Sequence, residues 1–383
     1  MNDNSLTPLA TPKAQESAEE APRNVRPLSL EILSEGMVAP LTSLAWGNGG
    51  NPGTFDGGAY YPDGSVCARS LHQKAGFINR PLPLSWSPAL PRVQGTHLYG
   101  GLLKNEHFGH FLAESLSRVW ALSGEMEELD SIVFYPRMLH QPVPDWVTRF
   151  MEIIAPDIPI TIVSETTVFE FLVVPDPAVH HANGFVYGHP LMRTALDPLR
   201  QIKGKSYEKL YVSRSGLKNS GGILGEKWLE DNLAKEGYLI FHPEKHSLKE
   251  QISFYNGAQS LIFAEGAALH LFALACRPEQ KVYIVQRRRN ASIFEWQLST
   301  FGLTPIVGPE SPQSYWIPEK SGRTTLFARA RIDLSKLSDQ LADRAFVSSG
   351  NWDLPTETLI QEEITEIQTR IGQRLVEYPA NAL

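Results

Sequence analysis

The chain has 383 residues, 42% of them hydrophobic, a formal net charge of -7 and a sequence pI near 5.9. That length suits two domains of ordinary size, and the acidic balance argues against a nucleic-acid binder, which carries a basic footprint. Cys67 and Cys276 are the only cysteines, too few for a disulfide framework. A reducing compartment is the plain reading, with a single bridge left open.

Residues 1–26 are polar, carry Glu16, Glu19 and Glu20, and contain no apolar core of a signal peptide. Residues 1–27 therefore read as a disordered tail. No run approaches the roughly 18 apolar residues of a membrane span. The nearest, 261–276, is interrupted by Glu265 and His270. Residues 30–100 are rich in Gly, Pro and aromatic residues. Within them 60–66 reads as a strand, a Pro62-Asp63-Gly64 turn and a second strand. Gly47-Asn48-Gly49-Gly50 looks superficially like a dinucleotide loop. Asn51-Pro52-Gly53 follows it and cannot readily open the required helix, so a surface loop is the better reading.

The stretch 107–120, HFGHFLAESLSRVW, predicts an amphipathic helix. At helical spacing His110, Glu114 and Arg118 share one stripe, while Leu112, Leu116, Val119 and Trp120 face a core. Strand and helix signals then alternate. Strands are predicted at 131–135, 158–163 and 168–174, with helices at 145–154 and 191–199. The segment 175–188 reads as a loop holding His180 and His181, with His189 just beyond; their spacing supports no assignment. The second half is more regular. It predicts strands at 209–214, 238–241, 260–264 and 281–286, and helices at 226–236, 248–256 and from 267 through Cys276. Gly237 is the expected C-terminal cap of the first of these helices, and Ser247 with Glu250 forms a capping box on the second. This rhythm implies a parallel sheet with helices on both faces. Residues 335–383 are mostly helical in pattern, notably 356–377.

Ligands of open parallel sheets bind outside the carboxyl ends of the strands. Two loops fit that place. In the first, Arg214 and Lys218 follow a strand and suit a phosphate, although a solvated loop explains them equally well. In the second, Glu265-Gly266-Ala267-Ala268 leads into a helix whose N-terminus suits a diphosphate. Glu265 there suits hydrogen bonds from ribose or sugar hydroxyls. His270 reads as a core residue or a site residue. On the predicted 107–120 helix, His110 and Glu114 are proton-transfer candidates. His107, His110 and Glu114 also have spacing that admits a metal, but Arg118 disfavours a cation beside them. Arg287-Arg288-Arg289 reads as a solvated face, with contact to an acidic acceptor as the lesser alternative.

Taken together, these strings resemble the family 61 glycosyltransferases, in particular a bacterial branch. The matching segments are 107–120, Tyr211-Val212-Ser213-Arg214, 221–226, 237–244 with Gln251, and 265–270, in order over roughly residues 95–285. Two departures stand out. Many eukaryotic members carry a His-Gly-Ala turn where this chain has Glu265-Gly266-Ala267, and many offer a second Arg where it has Lys218 and Asn219. The resemblance implies an α/β GT-B-like fold, two Rossmann-like domains facing a cleft, here with a C-terminal helical extension. The expected division is 28–200 on the acceptor side, 201–334 for the sugar nucleotide and 335–383 for the extension. It implies inverting transfer from a nucleotide sugar, expected to be UDP-linked, with no catalytic metal or other cofactor. His110 or Glu114 would be the base. Arg214, Lys218, Gln251, Glu265, Gly266, Ala267, Ala268 and His270 would bind the donor. Asn105, His107 and Arg118 would lie on the acceptor side. The acceptor would be a glycan or lipid-linked glycan in surface polysaccharide assembly, in the cytoplasm or peripherally at the membrane. Two other classes stay open: a non-catalytic sugar-nucleotide or glycan binder, and a metal-dependent hydrolase built on His107, His110 and Glu114.

Overall fold

The structure, a computed structural model, describes residues 27–46, 53–74, 77–124, 128–139, 141–182, 185–218, 220–288, 292–309, 312–321, 327–348 and 351–382. The expected tail through residue 26, the Gly47–Gly50 loop, Asn219 and Arg289 lie outside them. The fold is mixed α/β, with several sheets.

The first sheet has six strands in the order Gly58–Tyr60, Leu30–Ala39, Thr167–Pro175, Arg92–Leu103, Ser131–Pro136 and Ile160–Ile162. The last four run parallel, and Leu30–Ala39 lies antiparallel to both of its neighbours. Ser131–Pro136 is buried along its whole length, as its continuous apolar run requires of a central parallel strand. The Asp145–Ile154 helix buries Val147, Phe150, Met151 and Ile154, one face at helical spacing.

The second sheet is wholly parallel, in the order Leu239–Phe241, Tyr207–Val212, Ala258–Ala264, Lys281–Val285 and Ile306–Gly308. Helices Glu226–Lys235, Leu248–Gly257, Ala268–Ala275 and Ser292–Thr300 alternate with these strands along the chain. Their ends follow local chemistry. Gly237, at φ +85, terminates the first helix, and Ser247 with Glu250 forms a complete capping box on the second. The order of the strands reverses direction between Tyr207–Val212 and Ala258–Ala264. A crevice therefore opens beyond the carboxyl ends of these two strands.

Several expectations differ from the structure. The predicted 191–199 helix is two helices, Pro190–Ala195 and Asp197–Gln201, because Pro198 restarts the chain after Leu196 leaves helical geometry. The predicted 175–188 loop contains an antiparallel hairpin of Val179–Ala182 and Phe185–Gly188, and the His189 side chain caps the next helix. The C-terminal 335–383 segment is not all helical. Helix Glu357–Ile371 stops where Gly372 turns left-handed at φ +64, and Leu375–Pro379 pairs antiparallel with Ser314–Pro318. The segment packs on the second half through Leu224, Ile360, Ile364 and Ile367, and the Gly225 amide donates to Glu363 Oε2 at 2.8 Å.

One apolar core runs through both sheets, joining Leu98, Phe111 and Phe150 to Leu210, Phe263 and Phe272. Cys67 and Cys276 are buried free thiols. Among the described residues no helix is long and apolar enough to cross a membrane.

Candidate functional site

The Arg92–Leu103 strand ends at Lys104, and the chain turns through Asn105 and His107 into the segment expected to be one helix. It is instead one α-turn at Phe108–His110, a π-turn at Phe111–Ser115 and a 3-10 turn at Val119–Ser123. The apolar residues still face inward: Phe111, Leu112, Leu116 and Val119 are all buried. The polar stripe does not survive intact.

His110 and Glu114 do meet, with Nδ1 and Oε1 2.5 Å apart. Glu114 is fully enclosed, and its other oxygen lies 3.3 Å from His72 Nε2 and 3.4 Å from Lys104 Nζ. Burial acts to raise the Glu114 pKa. Hydrogen bonds from His110 and His72 and the charge of Lys104 outweigh it and hold the carboxyl well below the usual carboxylate range. An ionised carboxylate only accepts, so His110 Nδ1 is the donor in this contact. The His110 side chain is 29% exposed, whereas Glu114 is at 0%. Of the two candidate bases, only the imidazole reaches the surface.

Arg118 turns away from this pair. Its Nε donates to the Pro175 carbonyl at 3.1 Å, and Nη2 donates to the carbonyls of Arg69 and Leu71 at 2.8 and 3.1 Å. The guanidinium also lies 5.1 Å from the Tyr99 ring centroid. It ties down the turn that leads into His72. Asn105 is similarly engaged: it donates to the carbonyls of Met138 and Gln141 and accepts from the Met138 amide. His107 caps the first turn through Nδ1, with its ring 4.5 Å from that of His110. Beside His110 lies a pocket of about 130 Å³ bordered by Trp46, Phe55, Leu102, Lys104 and Arg137. The metal reading of His107, His110 and Glu114 finds no support in this geometry. Among the described residues no group of three His, Cys, Asp or Glu side chains is arranged to hold an ion.

The turn at His107–His110 meets the start of the Ala268–Ala275 helix directly. Gly109 is buried, and a Cβ there would lie 3.1 Å from His270 Cδ2 and 3.4 Å from the Ala267 Cβ. His110 therefore stands beside the start of the Ala268–Ala275 helix. His270 is itself buried, with Nδ1 2.6 Å from Gln297 Oε1. Burial lowers its pKa to about 4, so the ring is neutral at pH 7.

At the switch point, Arg214 follows one strand and Gly266 the other. The Arg214 guanidinium lies against Gly266, where a Cβ would come within 2.2 Å of Nη1. Only glycine allows that approach. Glu226 holds the backbone beneath, accepting from the Arg214 amide at 2.7 Å, Tyr211 Oη at 3.0 Å and Ser213 Oγ at 3.1 Å.

Two donor-side expectations, those for Glu265 and Gln251, differ in detail. Glu265 is fully buried, its Oε2 accepting from the Arg287 and Arg288 amides at 3.0 and 2.9 Å. Its Oε1 pairs with Arg288 Nε. Neither oxygen is presented to a sugar hydroxyl. Gln251 donates both amide hydrogens to the carbonyls of Pro243 and His246, so it shapes a loop. Lys218 is exposed, and its carbonyl accepts from Arg329. Ala267 and Ala268 form the opening of the helix, where the Leu269 and His270 amides donate to the Gly266 and Ala267 carbonyls at 3.0 and 3.1 Å.

Sequence reasoning missed four contributors. Lys104 and His72 reach Glu114 from positions that no local spacing links to it. Glu226 was legible only as a helix start. Arg287 is 5% exposed, not part of a solvated face. Its position directly after a parallel strand was the available signal.

Residues 108–283, just under half of the chain, match the family described as Glycosyltransferase 61. The matched span runs from the His110 turn to the Lys281–Val285 strand. It leaves out His72, Lys104 and Arg287. No curated protein matches the chain.

Proposed function

We propose, from the match of residues 108–283 to the Glycosyltransferase 61 family, that the protein transfers a sugar from a nucleotide-sugar donor to a hydroxyl acceptor with inversion. The two sheets then act as the halves of a GT-B arrangement, with the acceptor on the His110 side and the donor at the strand ends of the second sheet. The observation that carries this reading is the approach of Gly109 to Ala267 and His270. It sets a buried carboxylate–imidazole pair beside a glycine turn and a helix N-terminus suited to phosphate.

In the proposed reaction the acceptor oxygen attacks the anomeric carbon as its proton passes to His110 Nε2. The anomeric carbon–oxygen bond to the diphosphate breaks, and its electron pair leaves with that oxygen. Glu114 orients the imidazole and stabilises the imidazolium formed, while His72 and Lys104 hold Glu114. Arg214, the Gly266-Ala267-Ala268 turn and the helix N-terminus offset the charge of the leaving diphosphate. The pocket of about 130 Å³ beside His110 is the place for part of the acceptor. We take the donor as UDP-linked and the acceptor as a glycan or lipid-linked glycan of surface polysaccharide, handled at the inner face of the membrane.

A thermal-shift screen against nucleotides and nucleotide sugars tests the donor half of this reading. A ligand that binds only the folded protein raises its apparent stability by mass action. At least one uridine nucleotide should raise the midpoint. No shift with any nucleotide contradicts the reading.

A further inference from the structure

Arg214 and Arg287 are both anchored at the Glu265–Gly266 peptide, and both keep buried N–H groups without acceptors. Arg287 Nε donates to the Glu265 carbonyl at 2.8 Å, while its Nη1 is buried and has no partner among the described residues. The Arg214 guanidinium lies against Gly266, and its Nη2 reaches the Gly221 carbonyl at 3.1 Å. Its Nε is likewise buried and without a partner. Among the described residues no carboxylate forms an ion pair with either guanidinium. Glu265 is taken up by Arg288 and two backbone amides, and Glu226 by Tyr211, Ser213 and the Arg214 backbone. Desolvation and mutual repulsion both disfavour two such cations in one place, and burial with the Arg214 charge lowers the Arg287 pKa to about 9. A buried N–H without an acceptor is costly. A dianionic group would supply the missing acceptors and the missing charge together.

We infer that Arg287 and Arg214 form a two-guanidinium anion hole for a diphosphate, with Glu265 as the positioning residue that fixes the Arg287–Arg288 backbone at its edge. The inference rests on the donor-side reading above and adds to it a residue outside the family match. When the anomeric bond breaks, the electron pair goes to the diphosphate oxygen, and the two guanidinium groups offset that charge. Glu265 thereby supports the phosphate site from behind and does not bind the sugar.

The test uses the full-length protein and inorganic pyrophosphate as the probe, by isothermal titration calorimetry and by a crystal structure of the wild type with pyrophosphate. Arg287→Gln should weaken pyrophosphate about 10- to 100-fold, as loss of charge-assisted hydrogen bonds implies. Arg287→Lys keeps the charge without the fork and should fall between it and wild type. In the wild-type crystal, a phosphate should lie within hydrogen-bond distance of both guanidinium groups, a result that does not depend on how any variant folds. Pyrophosphate bound elsewhere, or bound equally well by folded Arg287→Gln, overturns the inference. A wild type that still releases nucleotide from a sugar donor would in that case keep the transferase reading intact. A wild type that binds neither pyrophosphate nor any nucleotide removes both.

Discussion

His110 Nδ1 and Glu114 Oε1 lie 2.5 Å apart across a π-turn. The contact orients a surface imidazole by a carboxylate that solvent does not reach. It also separates the two candidate bases by role. Glu114 has both oxygens engaged by His110, His72 and Lys104, so a substrate hydroxyl can approach only the imidazole.

Replacing Glu114 with Gln should therefore impair both chemistry and stability. Loss of the correct tautomer should lower turnover by about 10²- to 10⁴-fold, the usual contribution of a positioned base. Loss of the carboxylate removes the charge that faces the buried Lys104 at 3.4 Å, which costs about 3–5 kcal/mol. Steady-state kinetics and chemical denaturation measure the two effects separately. Lost turnover with unchanged stability would remove Lys104 from the account.

The acid limb of the stability curve follows from His270. Its pKa falls from 6.5 free to about 4 folded, because burial disfavours the imidazolium. The unfolded chain then binds more protons between those values. The associated stability is complete above about pH 6.5 and declines as pH drops toward 4, by about 3 kcal/mol in all. His270→Gln should flatten that part of the curve, as measured by denaturation at stepped pH. An unchanged slope would place the titration elsewhere.

Gly266→Ala should weaken the donor without unfolding the protein. The added methyl meets Arg214 Nη1, the mobile end of a side chain, at 2.2 Å, so the guanidinium must shift. The expected result is a donor KM about 10- to 100-fold higher, with a melting midpoint within a few degrees of wild type. An unaltered KM would show that the guanidinium position is immaterial.

Arg118→Met should give the opposite pattern. The guanidinium donates to the carbonyls of Pro175, Arg69 and Leu71, and Arg118 is 1% exposed. Its loss should lower stability by about 3 kcal/mol, while the acceptor KM stays near wild type. A selective rise in KM would return Arg118 to the acceptor side.

Much of the second sheet was legible because local signals there agree with the global fold. Gly237 and the Ser247–Glu250 box end and begin helices where the pattern says they should. The strand-end rule also marks Arg214 and Gly266, which the structure brings into contact. The His110 segment was legible for its contacts and misread for its backbone. Apolar spacing does not distinguish an α-turn from a π-turn, and the difference sent Arg118 away from Glu114. Long-range partners left no local trace. His72 lies 42 residues before Glu114, and nothing near it in sequence signals the meeting. Arg287 was misread for another reason: three consecutive arginines look solvated, yet the first of them turns inward to the Glu265 carbonyl. The C-terminal segment shows the same limit, since a helical pattern gave no notice that residues after Gly372 complete a sheet.

The central claim is that His110 takes the acceptor proton in a sugar transfer. Its most direct measurement is nucleoside diphosphate release from a panel of nucleotide sugars, with acceptor glycans present, by wild type and His110→Ala. The account predicts release by wild type with at least one uridine-linked sugar. It predicts a loss of about 10²- to 10⁴-fold in the variant, with donor affinity and melting midpoint retained. Wild-type turnover matched by a folded His110→Ala would contradict it.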